Sequence, residues 1–469
     1  MGCPLTSIVL SKNLHSLPDC VFYGNHLVSY TVPDNIQNEA FSGLDKLVHI
    51  KLSSNLTKLP DAAFASNYSL KSVDIPMNVT KIGDRCFSGC PLDGEKVFKI
   101  PKNVKVIEIG AFGNCNFEEV VIEGNIQEIN DETFSNCVNL SKITIPDSVT
   151  RFGDYAFINC KFDKMFFAKN LKVMGTGVFS KNKKITEVVW DEKFTSIPKE
   201  SFRGCKNVTK IVIPSTVTSF GENAFKSCKS FENFVIPNTV VEFGMNVFEK
   251  CVNLKSVTLP EGITRIPFGM FLSCSNLSEI KNLEKITIVE QSGFNKTRKL
   301  FAHGIPSTLK TIGYTAFSDC YIEELVLQNV EIMDGAFSHN DKLTKVVVLD
   351  GVTTLSDECF SDCINLRIVE LPNSLVSIDS NCFDGCTSLE EITIPKSVTK
   401  IGTQCFNDCS NLRKVNKDES LVCDDTVFSK CPNYLTGKVV EKDQFTGAVV
   451  DIPNGFDGLE MALLRTTIN

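Results

Sequence analysis

One feature constrains this chain more than any other: phenylalanine recurs at an almost fixed interval. The anchors are Phe22, Phe41, Phe64, Phe87, Phe112, Phe134, Phe157, Phe179, Phe202, Phe225, Phe248, Phe271, Phe294, Phe317, Phe337, Phe360, Phe383, Phe406 and Phe428. Of their 18 spacings, 12 are 23 residues and the rest lie between 19 and 25. A chain of 469 residues would ordinarily suggest about three domains. A period of this size points instead to a stack of short, similar units.

Other columns repeat around each anchor. Counting Phe as zero, Cys follows at +3, Leu or a relative at +6, and Val or Ile at +9 and +11. Pro is frequent at +12, then come Val or Ile at +15, Ile or Phe at +18, and Gly at +19. The Phe134 unit carries the set as Cys137, Leu140, Ile143, Ile145, Pro146, Val149, Phe152 and Gly153. Alternation at +9 to +11 is the period of a short strand with one buried face. Pro at +12 cannot donate to a ladder and ends that strand. Gly at +19 predicts a tight bend leading into a turn or 3₁₀ piece that carries the Phe inward. No unit of this size can bury its own apolar face, so neighbours must share one core. The expected fold is therefore a β-rich solenoid, a rod of about 19 stacked units of ~23 residues.

These columns resemble the BspA-like subclass of leucine-rich repeats, whose units read approximately LxxIxIPxxVxxIGxxAFxxC. The stretch LEEITIPKSVTKIGTQCFNDC, ending at Cys409, carries the pattern, and the resemblance runs from Cys3 to Cys431. It implies a leucine-rich-repeat solenoid over 1–431, with an incomplete first unit, and a degenerate repeat with a C-terminal cap over 432–469. It also implies a surface or adhesion protein, since such proteins are common in parasitic protists and mucosal bacteria.

The 20 cysteines would suggest a disulfide scaffold in a short secreted chain, but their placement argues otherwise. Thirteen occupy the +3 column, where Asn25, Asn67, Asn182 and Asn340 stand in other units. Cys alternating with Asn fits a buried rung in which a small side chain faces the backbone of a turn. Cys86, Cys359, Cys382 and Cys405 precede their anchors and form C-x₃-C pairs, a spacing unlike a zinc knuckle.

The start, Met1-Gly2-Cys3-Pro4-Leu5-Thr6, fits an N-myristoylation pattern with Cys3 open to palmitoylation. Gly2-Cys3-Pro4-Leu5 also aligns with Gly89-Cys90-Pro91-Leu92, which makes Cys3 an ordinary +3 rung and is the preferred reading. No secretory signal and no apolar run of membrane-spanning length is visible. The compartment thus stays divided: cell surface by resemblance, cytoplasm if the N-terminus is complete as given. Seven sequons, at Asn55, Asn67, Asn78, Asn139, Asn207, Asn276 and Asn295, permit glycosylation only on export.

Nothing marks an active site. The five His fall in no metal-binding spacing, and no phosphate loop or nucleophile elbow is present. No cofactor, metal ligand or catalytic residue is expected. A net charge of −8 without a long basic run makes the chain a poor non-specific nucleic-acid binder. His303 replaces the usual apolar residue at +9 of the Phe294 unit. It reads as a repeat defect, or else as a break in the surface beside Lys296, Arg298 and Lys299.

Solenoids bind through an extended face. Side chains at +8 and +10 should project from the sheet, and the outer column that lies 13 residues before the next anchor reads Phe166, Val189, Val212 and Val235 in the middle of the chain. An exposed apolar stripe is expected there, flanked two residues earlier by Lys164, Glu187, Lys210 and Asn233. The expected function is non-enzymatic binding of host, matrix or cellular proteins. An intracellular scaffold is the alternative.

Overall fold

The computed structural model describes residues 28–435 and, for backbone alone, the antiparallel pair Glu441–Lys442 and Val449–Val450. Gly2, Cys3, Phe22 and Asn25, and most of the cap expected over 432–469, lie outside the described residues. The fold is a β-solenoid of about 17 turns of ~23 residues, with almost no helix. The 19 anchors overcount slightly. Phe22 is not among the described residues, and after Phe428 the chain enters the short helix Pro432–Leu435 instead of a strand. The chain divides into two compact units, residues 1–253 and 254–469.

Each regular turn of the first unit supplies two strands. The longer sits at +8 to +10, as in Lys142–Thr144, and the shorter at +17 and +18, as in Arg151–Phe152. All described pairings between turns are parallel, which is what stacking successive copies of one unit requires. Val188 faces Ile211, and Phe152 lies between Ile129 and Met174. The second unit repeats the plan: Glu324–Leu327, Lys345–Val348 and Ile368–Glu370 form one parallel sheet, and Thr354–Leu355, Ser377–Ile378 and Lys400–Ile401 another.

The third side of each turn carries the anchor. The 18 described anchors are at most 7% exposed. In the first unit neighbouring rings stack from Phe41 to Phe179 and again from Phe202 to Phe248, with centroids 5.7 Å apart for Phe112 and Phe134 and 5.5 Å for Phe225 and Phe248. In the second, Phe383 and Phe406 stack at 5.3 Å. Each buried ring contributes about 3 kcal/mol of transfer free energy.

The side holding the anchor is built from turns, not helix, and left-handed residues flank the Phe at −2 and +2. Glu132 and Asn136 around Phe134 both have a φ of 55°. This conformation costs a non-glycine residue about 1 kcal/mol. It also lets the amides at −2, 0 and +2 all point to the next turn: Glu132, Phe134 and Asn136 donate to the carbonyls of Asp154, Ala156 and Ile158 at 2.8–2.9 Å. The glycine at +19 has a different task from the one its sequence position suggested. Gly153 and Gly221 have no positive φ, but a Cβ on them would lie 2.5 Å from Asp131 N and 2.4 Å from Lys199 N. Glycine is needed there because one turn's backbone passes against the next.

The +3 column is the rung anticipated from Cys and Asn. Cys137 Sγ donates to Phe112 O at 3.2 Å and Cys228 Sγ to Phe202 O at 3.1 Å, each reaching the anchor carbonyl of the preceding turn. Asn67 Nδ2 does the same toward Phe41 O at 2.8 Å, and Thr297 Oγ1 toward Phe271 O at 3.0 Å. The column selects a small side chain with one donor, which is why three chemically different residues share it. All 18 described cysteines are free thiols.

Candidate interaction surface

The stripe follows from strand alternation. In Glu187–Val189 and Lys210–Val212 the central residue turns inward, leaving Val189 60% and Val212 43% exposed; Val235, in the strand Asn233–Val235, is 70% exposed. The apolar face is bordered by a self-neutralised pair. Lys210 Nζ lies 2.7 Å from Glu187 Oε1, and this hydrogen bond holds the Glu187 carboxyl below its ordinary pKa. The three valines therefore offer an apolar surface with little net charge at its edge.

Phe166 does not join them. No strand forms at 164–166, and the Phe166 ring turns inward to lie 4.9 Å from Phe162, 5.1 Å from Phe179 and 5.4 Å from Phe157. Removing a large ring from water into an edge-to-face aromatic cluster outweighs keeping the exposed position expected for it. Lys164 stays exposed beside the interruption. The next residue, Phe167, packs against Trp190 and Phe194, with Lys193 Nζ 5.6 Å from its ring centre. No periodicity in the sequence could have given this local exchange of Phe166 for a strand.

In the second unit, the Phe294 turn likewise has no strand at Phe301–His303, in line with the repeat defect expected there. Arg298 is engaged internally: its Nε and Nη2 donate to the two carboxylate oxygens of Asp319 at 3.0 and 2.7 Å, with the guanidinium over the Tyr321 ring. The sequence reading missed a trough of about 570 Å³ lined by Lys310, Glu331, Met333, Gly351, Thr353 and Ser356. Its signal was the short spacing from Phe317 to Phe337, which brings Val330 and Ile332 closer in sequence than the matching pair Val352 and Leu355. Thr354–Leu355 consequently starts a separate sheet.

Among the described residues no three His, Cys, Asp or Glu side chains are placed to hold a metal ion, and no helix is long and apolar enough to cross a membrane. The buried thiols are poor nucleophiles. Burial pushes the Cys90, Cys137, Cys205 and Cys251 thiols up to about 12.

The family description "BspA type leucine rich repeat region (6 copies)" matches residues 1–116, 105–220, 195–324 and 330–443. The chain belongs to the BspA-type leucine-rich-repeat family. Solved structures with a similar fold include a leucine-rich repeat protein from Bacteroides ovatus, 19% identical over 86% of this chain and 87% of that one, with a TM-score of 0.41. Another is a leucine-rich cell surface protein from Faecalibacterium prausnitzii, 22% identical over 70% of this chain and 88% of that one, with a TM-score of 0.44. A search of curated proteins gives no match. BspA-type units are thus what the phenylalanine period encodes here, and a leucine-rich-repeat solenoid of this kind is typical of surface and protein-interaction proteins.

Proposed function

We propose that this chain is a non-enzymatic protein-binding solenoid working at a cell surface in adhesion. Val189, Val212 and Val235 form its contact face, and Lys164, Glu187 and Lys210 its polar border. The observation that carries the reading is Val189 and Val212 exposed side by side on paired strands, with Val235 exposed on the first strand of the next sheet: exposed apolar surface of this kind costs solubility unless something covers it. Membership of the BspA-type leucine-rich-repeat family, whose fold is typical of surface and protein-interaction proteins, supports the compartment.

The test has two arms. Brief protease treatment of intact source cells, followed by blotting against a cytosolic control, should remove the chain and spare the control; full protection until lysis would sink the surface reading. Purified chain should bind the surface of neighbouring or host cells, and Val189→Asp with Val212→Asp should abolish that binding without altering the thermal transition.

A second reading, an intracellular scaffold using the same stripe, is favoured by one observation: the free state of the 18 described thiols suits a reducing compartment. The protease experiment separates the two.

A further inference from the structure

The sequence holds no basic run, yet stacking creates one. Position +4, just after the Cys rung, is lysine in four successive turns: Lys161, Lys183, Lys206 and Lys229, spaced by 22, 23 and 23 residues. All four are exposed, and among the described residues none of them has an ion-pair partner. Their backbone is held in register, because Asn207 Nδ2 donates to Lys183 O and Ser230 Oγ to Lys206 O, both at 2.7 Å. Adjacent turns stand about 4.8 Å apart, so the lysines form a row along the stacking direction. The surroundings reinforce the charge. Residues 157–210 carry twelve Lys and Arg against five Asp and Glu, in a chain whose net charge is −8. Lys164, Lys172, Lys181 and Lys184 are also exposed and without an ion pair. Like charges at this spacing repel one another in the free protein, and an anionic partner relieves that repulsion.

We propose that Lys161, Lys183, Lys206 and Lys229 form a basic ridge that receives an extended acidic peptide segment of the partner protein. This rests on the protein-binding reading above and names the chemistry of what is bound. Three features favour carboxylates on a peptide over other polyanions. The ridge is made of lysine, a point charge on a flexible stem, without the arginine forks that recognise phosphate in two places at once. The aromatic residues beside the ends of the ridge in sequence, Phe162 and Phe231, are buried and offer bases no surface on which to stack. Side chains on one face of an extended peptide repeat about every 6.8 Å, a spacing that lysine stems rooted about 4.8 Å apart can meet.

The experiment uses the full chain and a fluorescent glutamate peptide, with heparin and a single-stranded DNA oligonucleotide as competing probes. The glutamate peptide should bind at low ionic strength. Binding should weaken about tenfold or more in the variant K161Q/K183Q/K206Q/K229Q. It should weaken far less in K46Q/K51Q/K58Q/K99Q, which removes the same charge from exposed lysines elsewhere. Equal losses in the two variants, or none in the first, would overturn the ridge. Ridge-dependent binding of heparin or DNA that outcompetes the peptide would overturn the acidic-peptide assignment. Val212→Ser keeps the ridge intact and should leave peptide binding unchanged while weakening cell-surface binding. A failure of the stripe and a failure of the ridge are thereby told apart.

Discussion

The Phe225 turn and the Phe157 turn lie in the same compact unit, run 23 and 22 residues to the next anchor, and differ in structure at the strand. The Phe225 turn has its strand, Asn233–Val235; the Phe157 turn has none where its counterpart should be. Everything on the anchor side is nevertheless the same. Phe157 stacks 5.8 Å from Phe134 and 5.9 Å from Phe179, against 5.7 and 5.5 Å for Phe225 between Phe202 and Phe248. Cys160 Sγ reaches Phe134 O at 3.2 Å, much as Cys228 Sγ reaches Phe202 O at 3.1 Å. The stack therefore tolerates loss of a strand but keeps its ring and its rung. The strand is where a unit can vary, and so where a binding face can be written.

If rings and rungs hold the turns together, the largest effect should come from attacking all the thiol rungs at once. Burial raises the Cys137, Cys205 and Cys251 thiols from 9.0 to about 12. A raised folded-state pKa stabilises the protein fully below the unfolded value and loses that contribution as pH climbs toward the folded one. Stability should accordingly hold to about pH 9 and fall steeply between 9 and 12, as followed by urea denaturation across that range. A flat profile would mean that the rungs are not buried in solution. Next comes the ring. Phe225→Ala should cost ~3–5 kcal/mol, whereas Phe166→Ala, whose ring is half-buried and off the stack, should cost about half as much. Deleting one whole 23-residue turn should be tolerated better than Phe225→Ala, because the cut ends can restack. Equal or reversed losses would break the comparison.

How much of this could be read from the sequence follows from what is periodic. Phe, Cys with Asn, and the Val or Ile columns repeat because every turn meets the same neighbours, so ring stack, rung and parallel strands were all legible. Phe166 was not. It occupies a column correctly but carries a ring large enough to prefer the core, and column statistics are blind to one side chain's volume. The glycine column was legible as a need for glycine but not for its reason, since close approach between turns is a three-dimensional fact about Gly153 and Asp131. The lysine ridge was hidden for the opposite cause. Lysine recurs at +4 in only four neighbouring units, while Val138, Val252, Ser275 and Thr387 stand there in others, so no chain-long column marks it.

A smaller effect isolates the chemistry of the rung. Cys228→Ser keeps a donor for Phe202 O and should lose less than about 1 kcal/mol beyond the change in volume. Cys228→Val leaves that carbonyl with only the bond from the Cys205 amide and should cost about 1 kcal/mol more. Parallel thermal melts of the two variants decide it: similar losses would show that the column selects size alone.

The smallest effect tests the border of the stripe, where a paired strand adjoins the interrupted turn. Glu187 has a lowered pKa, caused first by the hydrogen bond from Lys210 on the paired strand and only last by the charge of Lys164 in the turn without one. Lys210→Gln should therefore raise the Glu187 pKa toward its ordinary value, and Lys164→Gln should raise it by clearly less. Both residues are solvent-exposed, so neither change should move the denaturation midpoint measurably. Carboxyl titration by NMR reads the two shifts directly. Equal shifts would place Lys164 as near to Glu187 as a paired strand would hold it, and the interruption at 164–166 would then be absent in solution. A large shift for Lys210 alone would show that strand pairing sets the charge pattern at the edge of the valine stripe, and that the Phe157 turn marks where this pattern stops.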